Sequence, residues 1–297
     1  MRYRMLGKTG LRVSVIGIGT WQFGGEWGKD FSQAEADAIL DAAADCGINF
    51  IDTAECYGDH LSERLIGDYL SRRDRSRWLA ATKFGHHFNS FMNRDDDFSV
   101  AGVRQQLEAS LKALRVETID LYQFHSGSDA LFQNQELWAM LAEQKRAGKI
   151  RHLGVSILGR GSEFQAREAV RFGVGALQVV YNRLDRRPER LYFPHAERDG
   201  LGVLARVPLA SGLLSGKYKP GATFAANDVR ATFDVEKMRR DLAEVERLQR
   251  EEVPDGVPMA QWAMAWCLKN PAVSALIPGC KNPEQVRANA SAAELME

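Results

Sequence analysis

An aspartate, a tyrosine, a lysine and a histidine stand at or just beyond the ends of three short apolar runs in this sequence. Phe50-Ile51-Asp52-Thr53 leads on to Tyr57, Ala81-Thr82 ends in Lys83, and Tyr122-Gln123-Phe124 ends in His125. A phenol ionises near pH ~10, too high for easy proton exchange at neutrality. A lysine ammonium beside it favours phenolate and so predicts a lowered value for Tyr57. Asp52 would keep Lys83 charged, because an unpaired buried ammonium simply deprotonates. His125 can donate a hydrogen bond that fixes the direction of a carbonyl oxygen. The set suits protonating an oxygen while something else attacks the carbon. No side chain supplies that attack, so a hydride donor is the implied partner. Taken singly, each residue is more often structural; only their convergence makes a site.

Convergence requires an architecture. Apolar runs at Val13–Ile18, Asn49–Asp52, Trp78–Lys83, Ile119–His125, Ile150–Ser156, Ala176–Tyr181, Gly202–Val207 and Ser274–Pro278 read as eight strands. They are nearly continuously apolar, as parallel strands buried on both faces are. Helical periodicity fills the intervals. Ser32 with Glu35 forms a capping box, Ser62 is placed to cap a second helix, and Ser162 opens another that Gly173 closes. Further helices are predicted at Arg187–Asp199, Pro258–Asn270 and Pro283–Ala290. Eight strand–helix units predict a single (β/α)8 TIM barrel over residues 1–297. Two additions are expected: a hairpin in Arg2–Val13 plugging the barrel bottom, and an extra helix near Val235–Glu251 after strand seven. In such a barrel the reactive residues gather at the carboxyl ends of strands, and adjacent ends lie within about 10 Å. A doubly wound sheet is disfavoured, because Gly17-Ile18-Gly19-Thr20-Trp21-Gln22 has glutamine where a dinucleotide fingerprint needs its third glycine. Phosphate-loop, His-Glu-x-x-His and Gly-x-Ser-x-Gly motifs are missing.

Composition narrows the setting. The 297 residues are 45% hydrophobic and 26% charged, and 39 basic residues balance 39 acidic ones. Zero net charge offers no field for a nucleic-acid backbone or anionic lipid. The basic run Arg72–Arg77 reads as a solvated turn. Four cysteines without a Cys-x-x-Cys pair make no disulfide framework and fit a reducing, cytoplasmic compartment. No signal peptide is legible at the start, and the uncharged stretch Val13–Gly25 is too short to span a bilayer.

The segments Asp52-Thr53-Ala54-Glu55-Cys56-Tyr57-Gly58, Thr82-Lys83 and Asp120-Leu121-Tyr122-Gln123-Phe124-His125 resemble the motifs of the aldo-keto reductase family in order and spacing. The resemblance implies a catalytic tetrad of Asp52, Tyr57, Lys83 and His125, with Tyr57 the proton donor, and an NADPH laid across the barrel mouth. By the same resemblance Gly19, Thr20 and Trp21 border the nicotinamide, and Ser156 and Gln178 bond its carboxamide. Arg206 replaces an aromatic residue that stacks on the ring, a role a flat guanidinium can keep. Pro208, Leu209, Ser211, Gly212, Leu213 and Lys217 cover the pyrophosphate. Gly279, Lys281, Gln285 and Asn289 meet the adenosine end, with Lys281 on the 2′-phosphate, which favours NADPH over NADH. Ile157 departs from the family's usual asparagine, and Gln285 from a frequent arginine.

The expected activity is therefore NADPH-dependent reduction of a small aldehyde or ketone, or oxidation of the alcohol, without a metal. Two alternatives belong to other classes. One is an NADPH-binding sensor or accessory subunit with little turnover. The other is a glycosidase using Asp52 and Glu55, which would leave Lys83 without a purpose. Cys56 reads as a buried thiol, and His86 and His87 as substrate-rim residues. Trp21, Trp27, Phe84 and Phe88 are candidates for an apolar wall. No heptad pattern indicates an oligomer.

Overall fold

The computed structural model describes residues 1–159 and 161–296. Among the described residues twelve strands occur in chain order: β1 Tyr3–Met5, β2 Arg12–Ser14, β3 Ile18–Gly19, β4 Phe50–Asp52, β5 Leu79–Phe84, β6 His86–Ser90, β7 Asn93–Asp96, β8 Ile119–His125, β9 Ile150–Ser156, β10 Val174–Val180, β11 Gly202–Arg206 and β12 Ala275–Ile277. Eight of them form one parallel sheet in the order β12-β11-β10-β9-β8-β5-β4-β3. The two outer strands meet through bridges at Ile16–Leu276 and Gly19–Gly279, so the sheet closes into the expected (β/α)8 barrel. Three amide bonds hold that seam: Gly17 to Leu276 O at 2.7 Å, Leu276 to Val15 O at 2.9 Å and Gly19 to Pro278 O at 3.0 Å.

The first predicted strand needs correction. Val13 and Ser14 pair with Arg4 and Tyr3 in the β1–β2 hairpin, and the barrel strand is confined to Ile18–Gly19 with the bridge at Ile16. The apolar run is continuous because its first half serves a different surface. Leu6, Leu11 and Val13 pack with Phe50, Ala81, Leu121, Ala176, Leu204, Ala275 and Ile277, so the hairpin closes the barrel interior from below. Gly7 makes the approach possible, at φ +54°, where an added Cβ would sit 2.2 Å from the Gly202 nitrogen.

Helices wrap the barrel and bury their apolar faces in a shared cluster that includes Ile39, Leu40, Ile66, Leu107, Leu141 and Leu268. The Ser32–Glu35 capping box opens Gln33–Asp45. Ser62 does not cap: His60 holds that position of Leu61–Leu70, while the Ser62 hydroxyl is buried against Thr20 and Thr53. The helix predicted at Arg187–Asp199 breaks at Tyr192 into Pro188–Leu191 and Phe193–Asp199. The extra helix spans Val235–Glu251, capped by Asp234, and Val245 and Leu248 pack onto Leu214, Met259 and Ala263. Arg72, Arg73 and Arg75 reach Asp37, Asp41 and Asp120 from a solvated turn. The β6–β7 hairpin, not foreseen in the sequence, rises from the end of β5.

Candidate active site

Asp52, Lys83 and His125 lie at the carboxyl ends of β4, β5 and β8, which are side by side in the barrel. Tyr57 is brought back over them by a tight turn in which its amide donates to Ala54 O at 3.2 Å. Gly24 lets this turn approach, since a Cβ there would be 2.7 Å from the Tyr57 carbonyl carbon. Thr20 ties the first two barrel strands together, its hydroxyl donating to Asp52 O at 2.9 Å.

All three protons of the Lys83 ammonium are directed by this geometry. Nζ donates to Asp52 Oδ2 at 2.7 Å, Thr53 O at 2.6 Å and Tyr57 Oη at 3.2 Å. Burial works against the lysine's charge, but Asp52 and Tyr57 outweigh it and hold the ammonium above its ordinary range. Asp52 is fully engaged as well: its Oδ1 accepts from Gln123 Nε2 at 3.0 Å and Gln178 Nε2 at 2.7 Å. Gln123 was missed by the sequence reading, although it stands two residues before His125 and points into the barrel. Gln178 is further held by Gln123 Oε1 at 3.0 Å and by the Ser156 hydroxyl at 3.3 Å.

The proton affinities differ from the expectation in one respect. Burial pushes the Tyr57 phenol up to about 12, with Lys83 pulling downward and Asp52 upward to lesser degrees. A lowered value was expected; desolvation of the phenolate exceeds the pull of an ammonium already neutralised by Asp52. Tyr57 is thus a protonated phenol at neutral pH. Burial, reinforced by Lys83, His86, Arg206 and Arg94, holds His125 well below the usual imidazole range, so it is neutral and offers one N–H. Its ring stands 6.2 Å from that of Tyr57 at 82°.

These groups border a cleft of about 530 Å³ at the barrel mouth, within the size range of small-molecule sites. Asp52, Tyr57 and His125 line it, and Lys83 lies beneath Tyr57. Of the positions assigned to a cofactor, Gly19, Thr20, Trp21, Gln178, Arg206, Pro208, Leu209, Ser211, Gly212, Lys217, Gly279, Lys281, Gln285 and Asn289 line the same cleft. Two do not. Ser156 is behind Gln178, and the Leu213 side chain packs with Met238 and Leu242. Trp21 and Trp27 form the apolar wall, with Trp21 stacked 6.0 Å from Tyr57. Phe84 is instead buried against Phe98, Tyr122 and Phe124.

Two loops add contributors, of which only His86 was expected at the rim. The β6–β7 hairpin brings His86, Met92 and Arg94 to the rim, and Glu26 fastens it by accepting from the Met92 amide at 3.0 Å and from Arg94. The loop after β11 adds Tyr218 and a buried Arg230 paired to Asp228 at 2.6 Å. In that loop Val207, Ala210 and Ser211 have φ of +57°, +48° and +58°. A β-branched residue in this region is an outlier, of the kind that accumulates at ligand-binding loops.

The cleft wall fits a nicotinamide dinucleotide on one structural ground in particular. Arg206 Nε and Asn289 Nδ2, donors from β11 and from helix Pro283–Ser291, are buried with no partner among the described residues. Such donors call for acceptors on a ligand. The glycosidase alternative fails here: Asp52 is saturated, and Glu55 lies off the cleft with one oxygen on the His86 amide at 3.0 Å. Among the described residues no helix is long and apolar enough to cross a membrane.

Comparison with known proteins gives a concordant result. A family model described as the aldo/keto reductase family matches residues 15–297. The chain is 36% identical to an uncharacterized oxidoreductase, YrpG, of Bacillus subtilis, covering 99% of this chain and 92% of that protein. It is 33% identical to the NADH-specific methylglyoxal reductase of Escherichia coli, covering 97% and 92%. The solved holo form of aldo-keto reductase AKR11C1 from Bacillus halodurans superposes with a TM-score of 0.82 at 30% identity, covering 99% and 91%. A barrel of this topology with this motif order leaves one conclusion: the chain belongs to the aldo/keto reductase family of oxidoreductases, which work with nicotinamide cofactors.

Proposed function

We propose that this protein reduces small aldehydes or ketones to alcohols with NADPH as the hydride donor and Tyr57 as the proton donor. The observation that carries the reading is the Lys83–Tyr57 contact of 3.2 Å at the cleft wall, beneath which Asp52 keeps the lysine charged. NADPH, when bound, supplies the hydride to the carbonyl carbon. The residues do the rest. A carbonyl oxygen seated between Tyr57 and His125 accepts a hydrogen bond from each, and as charge builds on it the phenol proton transfers. The ammonium, already at Oη, stabilises the phenolate left behind. Gln123 and Gln178 hold Asp52, so the charge under Tyr57 does not drift. At the other end of the cleft Lys281 would pair with the 2′-phosphate; its side chain donates to Trp27 O at 2.5 Å, leaving further N–H groups to pair. Gln285 accepts the Lys281 amide at 2.8 Å, which fixes that turn without adding charge. The four cysteines are unpaired thiols, in keeping with a cytoplasmic setting.

Tyr57→Phe tests the assignment. NADPH binding, followed by fluorescence, is expected to stay within about threefold, while carbonyl reduction falls by 10²-fold or more, roughly the contribution of a positioned acid. Undiminished reduction by the variant would remove Tyr57 from the mechanism. Binding of NADPH by the wild type with no carbonyl reduced would favour the sensor reading.

A further inference from the structure

Three side chains able to ligate a metal meet beside the tetrad, and the proposed reduction uses only His125. Cys56 Sγ lies 3.8 Å from His125 Nδ1. A Glu55 oxygen completes a triangle in which every ligand atom is within 4.8 Å of the others. Glu55 is 3% exposed and Cys56 1%. One Glu55 oxygen takes the His86 amide; the other, Oε2, is buried with no hydrogen-bond partner among the described residues. A buried carboxylate oxygen without a donor is unfavourable unless something electropositive reaches it.

We propose that Glu55, Cys56 and His125 form an inhibitory Zn2+ site at the floor of the cleft, with Glu55 reaching it from behind Cys56 and His125. Zinc takes sulfur, imidazole nitrogen and carboxylate oxygen at about 2.0–2.3 Å, which places two ligand atoms of a tetrahedral ion roughly 3.5 Å apart. The Cys56–His125 spacing already approaches this, and the Glu55 carboxylate needs to close by about 1 Å, within reach of a side-chain rotation. Cys56 and His125 face the cleft, so the ion has a route in and an open fourth position for water. Two anionic ligands match the dication. Of the cations acting on Cys56, Lys83 and Arg94 carry Asp52 and Glu26 as counter-ions, and Arg94 would give up its hydrogen bond to the Cys56 sulfur to the metal. On binding, the sulfur–proton bond gives way to a sulfur–zinc bond and the oxygen–proton bond of the buried Glu55 carboxyl to an oxygen–zinc bond; both protons leave to solvent, with no change of oxidation state. In sequence the three residues gave no ligand spacing, because His125 lies 69 positions beyond Cys56 and the fold alone unites them. Once zinc holds Nδ1, His125 can no longer turn to direct a carbonyl oxygen, and this inhibitory consequence rests on the proposed reduction.

The test begins with chelator-treated full-length protein titrated with Co2+, which reports thiolate ligation by a near-ultraviolet charge-transfer band. The band is expected in the wild type, to be displaced by Zn2+, to vanish in Cys56→Ala and to need at least tenfold more metal in Glu55→Gln. In turnover assays Zn2+ is expected to raise the apparent KM for the carbonyl compound at least fivefold, and chelator to reverse it. No cobalt band, or one that survives Cys56→Ala, overturns the site. A band accompanied by zinc-insensitive turnover overturns its inhibitory role. Because the band needs no turnover, its loss and a failure of the reductase reading are distinguishable.

Discussion

Replacing Lys83 with Met separates what the ammonium does for stability from what it does for chemistry. The Lys83–Asp52 pair is sealed inside the barrel, at 0% and 3% exposure. Breaking such a pair by removing one partner leaves an uncompensated buried charge and costs about 3–5 kcal/mol. Here Asp52 keeps two amide donors, from Gln123 and Gln178, so the low end of that range applies. At about 2 °C per kcal/mol for a chain of this length, the melting temperature of Lys83→Met should fall by roughly 6 °C. Adding Asp52→Asn removes the stranded charge, and the double variant should recover most of that loss. Turnover should not follow. Without an ammonium at Tyr57 Oη, both variants should reduce carbonyl compounds about 10²- to 10⁴-fold more slowly. Circular-dichroism melts and the decay of cofactor absorbance read the two quantities separately. A double variant that regains activity along with stability would refute the role given to Lys83, and a single variant that melts like wild type would show that the pair is not desolvated.

Three further outcomes follow from other parts of the molecule. Lys281→Ala should weaken NADPH by about tenfold or more while changing NADH less than threefold, measured by fluorescence titration; equal losses would detach Lys281 from the 2′-phosphate. His60 lies 2.5 Å from buried Glu63, and although burial opposes its charge, Glu63 raises its proton affinity above the ordinary imidazole value. That contribution is complete below about pH 6.5 and is lost as pH rises through the folded-state value, so His60→Asn, which tolerates the left-handed backbone there, should flatten the decline of urea stability above pH 6.5. A Cβ at Gly67 would meet Ala113 O at 2.1 Å, between helices Leu61–Leu70 and Val100–Leu114; Gly67→Ala should lower stability by about 1–3 kcal/mol in the same assay.

What could be read from the sequence follows the range of the forces involved. Asp52, Tyr57, Lys83 and His125 were legible because each sits at or just past the end of an apolar run, where a strand's period leaves no ambiguity about burial. The Val235–Glu251 helix was equally plain, since its inward Met238, Leu242, Val245 and Leu248 keep helical spacing. Gln123 was hidden by the same logic: a polar residue inside an apolar strand looks like an imperfection until Asp52 is seen across the barrel. The β6–β7 hairpin was invisible because His86–Ser90 and Asn93–Asp96 carry a single apolar residue, Phe88, and Glu26, some 66 residues away from Met92, helps to order them. The phenol's proton affinity was misjudged for a related reason. Spacing shows which charges are near one another, whereas the depth of burial that outweighs them exists only in the folded barrel.

The two ends of the sheet are joined more sparingly than its central strands. β8 and β9 run together from Ile119 and Ile150 to His125 and Ser156, whereas the first and last barrel strands touch at Ile16–Leu276 and Gly19–Gly279. Gly19 and Gly279 also border the cleft. Whatever lies across both glycines therefore acts as a rivet over a thin strip of the wall. Occupancy should slow amide exchange in residues 16–19 and 275–279 while hardly altering it on the opposite side, so that the enzyme's tightest closure coincides with being loaded for work.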